Sequence, residues 1–196
     1  MTRGRRAWIG LSILLGACAL AGWTLPHETL DWQPALALRE PWRAVSAVGV
    51  HYSLQHLLAN LAGVALAGAF GAVAQVTARL AGAWLAAWPL TQLGLLARPD
   101  LAHYGGLSGV LHAGVAAVVV FLLLDGTRAQ RWLAAAVLLG LSLKIASESP
   151  WGPALRYPAG WDIAVAPFAH ASGALAGALC AIIALRWPRP AARERP

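Results

Sequence analysis

YGGLSGVLHAGVAAVVVFLLL, residues 104–124, is the stretch that decides how this chain reads. It opens as a glycine-rich turn and becomes an apolar run, 110–124, almost long enough to cross a bilayer. Ser108 stands at the junction. A small nucleophile at the mouth of a membrane helix points to hydroxyl chemistry carried out inside a membrane. Intramembrane polar groups are costly and are functional candidates by default. His56, Asn60 and His170 also lie in apolar stretches.

The composition agrees with a membrane setting. The 196 residues are 59% hydrophobic and only 12% charged, against roughly 25% charged in a soluble domain. The apolar excess comes in long blocks, and no polar stretch is long enough to build its own core. The net charge of +7 does not indicate nucleic acid, because no basic surface interleaved with aromatics is present. Arg3, Arg5 and Arg6 precede the first block, and Arg186, Arg189, Arg193 and Arg195 follow the last. Such flanks control topology. Cys18 and Cys180 both fall inside apolar runs and read as small buried residues, with no support for a disulfide or a metal pair. No cofactor is expected. The amino-terminal segment resembles a signal peptide, with a lipoprotein-like box at Leu15-Gly16-Ala17-Cys18. Its apolar stretch runs on to Leu25 and more blocks follow, so an uncleaved first helix is expected.

Six apolar segments can be drawn, at about 8–25, 54–72, 80–96, 107–124, 132–147 and 165–187. Each approaches the ~20 residues of a spanning helix. Lipid forces the backbone to satisfy itself, so all six are expected to be helical. The expectation is an all-α polytopic protein, one membrane domain over 1–196, with 188–196 as a basic cytoplasmic tail. An even number of spans puts both termini on one side. With the termini inside, the inner set is Arg3, Arg5, Arg6, Arg79, Arg128, Arg131, Arg186, Arg189, Arg193 and Arg195, and the outer set is Arg39, Arg43, Arg98 and Arg156. Ten against four favours cytoplasmic termini. Trp8, Trp23, Trp132 and Trp187 sit near segment ends, as interfacial anchors do. The longest connection, 26–53, holds Trp32, Trp42 and Arg43, and its tryptophans are expected at the headgroups. The proline-rich connection 149–162 reads as irregular and mobile.

The polar residues pair by spacing. His56 and Asn60 are four apart on one helix face, placed either to donate toward one point or to tie helices together. Ser108 is flanked by Gly105, Gly106 and Gly109, which leave the backbone N–H groups uncrowded at a helix start, where an oxyanion can be held. A plain helix cap is the competing reading. His170 is followed by Gly173 and Gly177, a small-xxx-small pair that lets helices approach closely. His112, four residues after Ser108, either competes with His170 as the base or orients it, and the second is the expectation. Lys144 and Glu148, also four apart, are expected to pair and so to lower the cost of two intramembrane charges. A proton relay in a small transporter is the alternative use, but no internal repeat accompanies it.

Taken together these residues resemble the rhomboid intramembrane serine proteases. The family carries H-x-x-x-N, G-x-S-G and A-H-x-x-G-x-x-x-G on its second, fourth and sixth helices. Here these read His56-Leu57-Leu58-Ala59-Asn60, Gly106-Leu107-Ser108-Gly109, and Ala169-His170 through Gly173 to Gly177. His51 matches the histidine often found upstream of the first motif, and Pro41-Trp42-Arg43 resembles the Trp-Arg element of the first outer loop. One departure is informative. Many rhomboids have tyrosine four residues after the serine, where this chain has His112, and the run from Gly106 to His112 looks like the rhombosortase branch.

The resemblance implies a six-helix rhomboid core and a Ser108–His170 catalytic dyad. His56, Asn60 and the Ser108 N–H would stabilise the oxyanion, and His112 would orient the base. His51, Gly106, Gly109, Gly173, Gly177, Lys144 and Glu148 would be supporting residues, and no metal is implied. It implies a multi-pass protein of the bacterial inner membrane with the site toward the periplasm. Its substrates would be membrane-anchored proteins with a C-terminal Gly-Gly motif, a transmembrane helix and a basic end. A catalytically inactive rhomboid-like binding protein or chaperone is the alternative from another class.

Overall fold

The computed structural model describes residues 1–187. The tail expected at 188–196 lies outside the described residues. Among the described residues, six helices are long and apolar enough to cross a membrane. They are α1 (Arg3–Gly22), α2 (Leu54–Val73), α3 (Ala78–Leu93), α4 (Ser108–Asp125), α5 (Arg128–Ser147) and α6 (Pro167–Arg186). The turn Gly94–Ala97 extends α3. The protein is an all-helical, multi-pass membrane protein, and among the described residues extended backbone pairs only at isolated bridges.

Local chemistry sets the helix starts. The side chains of Thr2, Ser53, Thr77 and Thr127 each accept a hydrogen bond from a first-turn N–H, which satisfies a donor that the helix itself cannot. Thr127 and Gln130 form a reciprocal capping box. Pro167 occupies the first turn of α6, where its missing N–H costs nothing. The Thr2 cap explains why α1 begins at Arg3, five residues before the apolar block.

Packing in lipid relies on shape rather than on the hydrophobic effect. Trp8 of α1 stacks on Trp84 of α3 with ring centroids 4.4 Å apart. Its indole N–H donates to the Ala67 carbonyl of α2, and that of Trp84 donates to the Val110 carbonyl of α4. Gly71 and Gly114 make room for these two rings, since a Cβ at either would collide with the indole. Trp8 is therefore fully buried, which corrects its reading as an interfacial anchor. Trp132 and Trp187 are exposed, as anchors require. The two cysteines are free and half-buried. α6 lies deepest against α4 and α3. By contrast, Ala134 is the one buried residue of α5.

The connection 26–53 is built rather than floating. It contains the short helices His27–Leu30 and Arg43–Ser46. Trp32 is buried and pairs with Tyr104 through two backbone hydrogen bonds of 2.7 and 2.9 Å. That pairing fixes the chain just before Ser108 and overturns the expectation of Trp32 at the headgroups, whereas Trp42 is exposed. Arg43 is buried. It donates to Asp31 Oδ1 at 3.0 Å, to the carbonyls of Glu28 and Asp31, and to Glu40. His103 meets the other Asp31 oxygen at 2.6 Å. Asp31→Ala should therefore destabilise the protein by about 3 kcal/mol, because it removes the buried one of the two carboxylates that compensate a buried guanidinium. A fall in the melting temperature in detergent is the check, and an unchanged melt would mean that Glu40 alone suffices.

Candidate active site

The turn ahead of α4 is shaped by Gly106. Its φ of +119° suits glycine, and a Cβ there would lie 2.7 Å from His56 Nε2. The Gly106 N–H is anchored on the Ala47 carbonyl at 2.9 Å. Ser108 is the first residue of α4, and its side chain makes no capping bond. Its hydroxyl instead lies 2.9 Å from His170 Nε2. The plain-cap reading of Ser108 is thereby replaced.

Two glycines on α6 make this distance reachable. A Cβ on Gly173 would overlap the Gly109 carbonyl, and one on Gly177 would overlap the Ala113 carbonyl. The backbones of α4 and α6 are thus in direct contact just below the Ser–His pair. Gly109 is also closely packed, since a Cβ there would sit 2.8 Å from the Ala169 carbonyl. Ser172 fastens α6 to α3 by donating to the Thr91 carbonyl at 2.8 Å.

His112 stacks on His170, with centroids 4.3 Å apart and planes 14° from parallel. Its Nδ1 is 2.6 Å from the Ser108 carbonyl oxygen. A carbonyl only accepts, so Nδ1 carries the proton. His112 is thereby committed to the Ser108 backbone and lies face to face with His170. Lys144 and Glu148 do pair, at 2.9 Å. Both also reach Nδ1 of His170, Glu148 Oε2 at 2.6 Å and Lys144 Nζ at 2.9 Å. Spacing along α5 reveals the pair but not its target. The available signal was the expense of a carboxylate at a helix C-terminus, where the dipole opposes it.

His56 and Asn60 line the same cavity as Ser108 and His170. The Asn60 amide also donates to the His56 carbonyl at 3.1 Å. The Tyr52 N–H approaches His56 Nδ1 at 3.5 Å, which leaves Nε2 as the proton-bearing nitrogen on the Gly106 side. His51 is fully buried behind His56, with ring centroids 4.8 Å apart. Burial pushes the His51 imidazole down to about 4, so it packs there as a neutral ring.

The cavity holds about 730 Å³. From the polar cluster it runs down an apolar channel between α2 and α4–α5, lined by Gly63, Phe70, Val115 and Leu141. The connection 149–162 contributes Leu155, Pro158 and Trp161 to the cavity wall. This connection is irregular as expected, but it is tied to α2. Ser53 donates to Asp162 at 2.7 Å and Gln55 to the Gly160 carbonyl at 2.9 Å. Among the described residues no cluster of His, Cys, Asp and Glu suits a metal ion.

This geometry is a hydroxyl on an imidazole, at an uncapped helix start, beside an apolar cavity. The family model described as Rhomboid domain matches residues 38–187. The chain belongs to the rhomboid family, whose members are generally intramembrane serine proteases. A comparison with the curated proteins finds no match.

Proposed function

We propose that this protein is an intramembrane serine endopeptidase that cleaves membrane-anchored proteins near the outer face of the bilayer. The observation that carries the proposal is the 2.9 Å approach of Ser108 Oγ to His170 Nε2, within hydrogen-bond reach for proton transfer. Ser108 Oγ attacks the scissile carbonyl and its proton passes to His170 Nε2. The negative charge that develops on the carbonyl oxygen is received by the Ser108 N–H, His56 Nε2–H and the Asn60 amide. His170 then returns the proton to the leaving amine, and water or another amine resolves the acyl-enzyme. Donors of this oxyanion type are worth about 10²–10³ in rate each.

His112 in place of tyrosine favours a rhombosortase-like substrate: a C-terminal Gly-Gly motif followed by a transmembrane helix and a basic end. The arginine balance favours cytoplasmic termini, which puts the site on the periplasmic side of a bacterial inner membrane. A transporter is not favoured, because Lys144 and Glu148 converge on His170 rather than on a second charged group across the bundle.

The test is labelling with a fluorophosphonate, which phosphonylates an activated serine and expels fluoride. Wild type should label and Ser108→Ala should not. Equal labelling of both, or none of either, would overturn the assignment.

A further inference from the structure

We infer that Glu148 is a positioning residue that sets the tautomer of His170, and that Lys144 stands ready to impose the opposite tautomer when Glu148 is absent. The inference rests on the Ser108–His170 assignment and adds a third member, carried on α5.

Both charged groups reach one nitrogen of His170. Nδ1 of His170 has Glu148 Oε2 at 2.6 Å and Lys144 Nζ at 2.9 Å. A neutral imidazole has one N–H and one lone pair. A carboxylate can only accept, so Glu148 requires Nδ1–H. An ammonium can only donate, so Lys144 requires a bare Nδ1. The consequences at the other end of the ring are opposite. With Nδ1–H, the lone pair of Nε2 faces Ser108 Oγ and can take its proton. With Nδ1 bare, Nε2–H points at Ser108 and no base is present.

The surrounding bonds select the first state. His112 Nδ1 donates to the Ser108 carbonyl at 2.6 Å, which leaves His112 Nε2 as an acceptor. Lys144 Nζ lies 3.0 Å from that nitrogen and 2.9 Å from Glu148 Oε1. Two donors of Lys144 are therefore occupied without His170. One assignment then satisfies the whole cluster. Lys144 donates to His112 and Glu148, His170 Nδ1–H donates to Glu148, and Ser108 O–H donates to His170 Nε2. The Arg156 guanidinium donates to the Glu148 carbonyl at 2.9 Å and steadies the backbone that carries the carboxylate.

The test compares Glu148→Ala, Lys144→Met and the double variant in the full-length protein in detergent micelles. The readouts are kcat and KM for a cleaved membrane-anchored peptide, with fluorophosphonate labelling alongside. Wrong-tautomer variants of serine proteases lose about 10⁴ in kcat, so Glu148→Ala should lose about 10³–10⁴ in kcat with KM little changed. Removing the competing ammonium should recover at least about tenfold in the double variant, and Lys144→Met alone should lose less than Glu148→Ala. In ¹⁵N-histidine spectra, with the His170 signal identified by its loss in His170→Ala, wild type should show Nδ1–H and Glu148→Ala should show Nε2–H. The inference is overturned if Glu148→Ala stays within threefold of wild type. It is equally overturned if the double variant is no better than the single one, or if Glu148→Ala loses rate while keeping Nδ1–H. A wild type that neither labels nor cleaves overturns the Ser108–His170 assignment instead.

Discussion

Ser108→Ala and His170→Ala should each remove cleavage, with a fall of about 10⁴–10⁶-fold that in practice reaches background. The size of the effect follows from interdependence. Without the hydroxyl there is nothing to acylate, and without the imidazole the hydroxyl keeps its proton. Neither change should disturb insertion or melting, because each trims one side chain at a cavity wall and leaves the helix contacts of Gly109 and Gly173 in place. Product mass and a melting curve on the same preparation check both halves. An active His170→Ala beside a dead His112→Ala would move the base to His112. The geometry speaks against that outcome, since the His112 nitrogen near Ser108 is engaged with the backbone carbonyl and not with the hydroxyl.

The second large effect is expected at a residue with no chemistry of its own. Gly173 is three residues past His170 on α6, and a Cβ there would overlap the Gly109 carbonyl. Gly173→Ala must therefore push α4 and α6 apart, and the gap opens next to the 2.9 Å bond between Ser108 and His170. Misplacing reacting groups by about 1 Å costs roughly 10² in rate. Gly173→Ala should accordingly lose about 100-fold in kcat, while KM changes little because the channel toward Val115 and Leu141 is untouched. Gly140→Ala is the control, since Gly140 faces open space on α5 and its replacement should leave the rate unchanged. Equal rates for the two variants would show that α4 and α6 tolerate separation.

Much of this molecule is visible in its sequence for a physical reason. Lipid allows few backbone solutions, so six apolar blocks announce six helices. Polar residues stand out against them, so Ser108, His170, His56 and Asn60 can be singled out without coordinates. The rotation of each helix is less visible. Trp8 lies close to a helix end and looks like an anchor, but its face turns inward onto Trp84 and Gly71. Trp32 lies in a connection that reads as surface, yet its backbone pairs with Tyr104, 72 positions away. Lys144 and Glu148 show their mutual spacing, whereas their convergence on His170 depends on the tilt of α5 against α6. Local periodicity carries no information on any of these three.

That tilt has a consequence for the histidine. The carboxylate that meets His170 Nδ1 sits at the end of the helix with a single buried residue, Ala134, while the serine and histidine ride on helices whose backbones touch. Lys144 and Glu148 sit at the same end of α5 and pair with each other, so a displacement of α5 wide enough to admit a substrate helix would carry both away from His170 together. The environment of the histidine is thus tied to where α5 sits against α6.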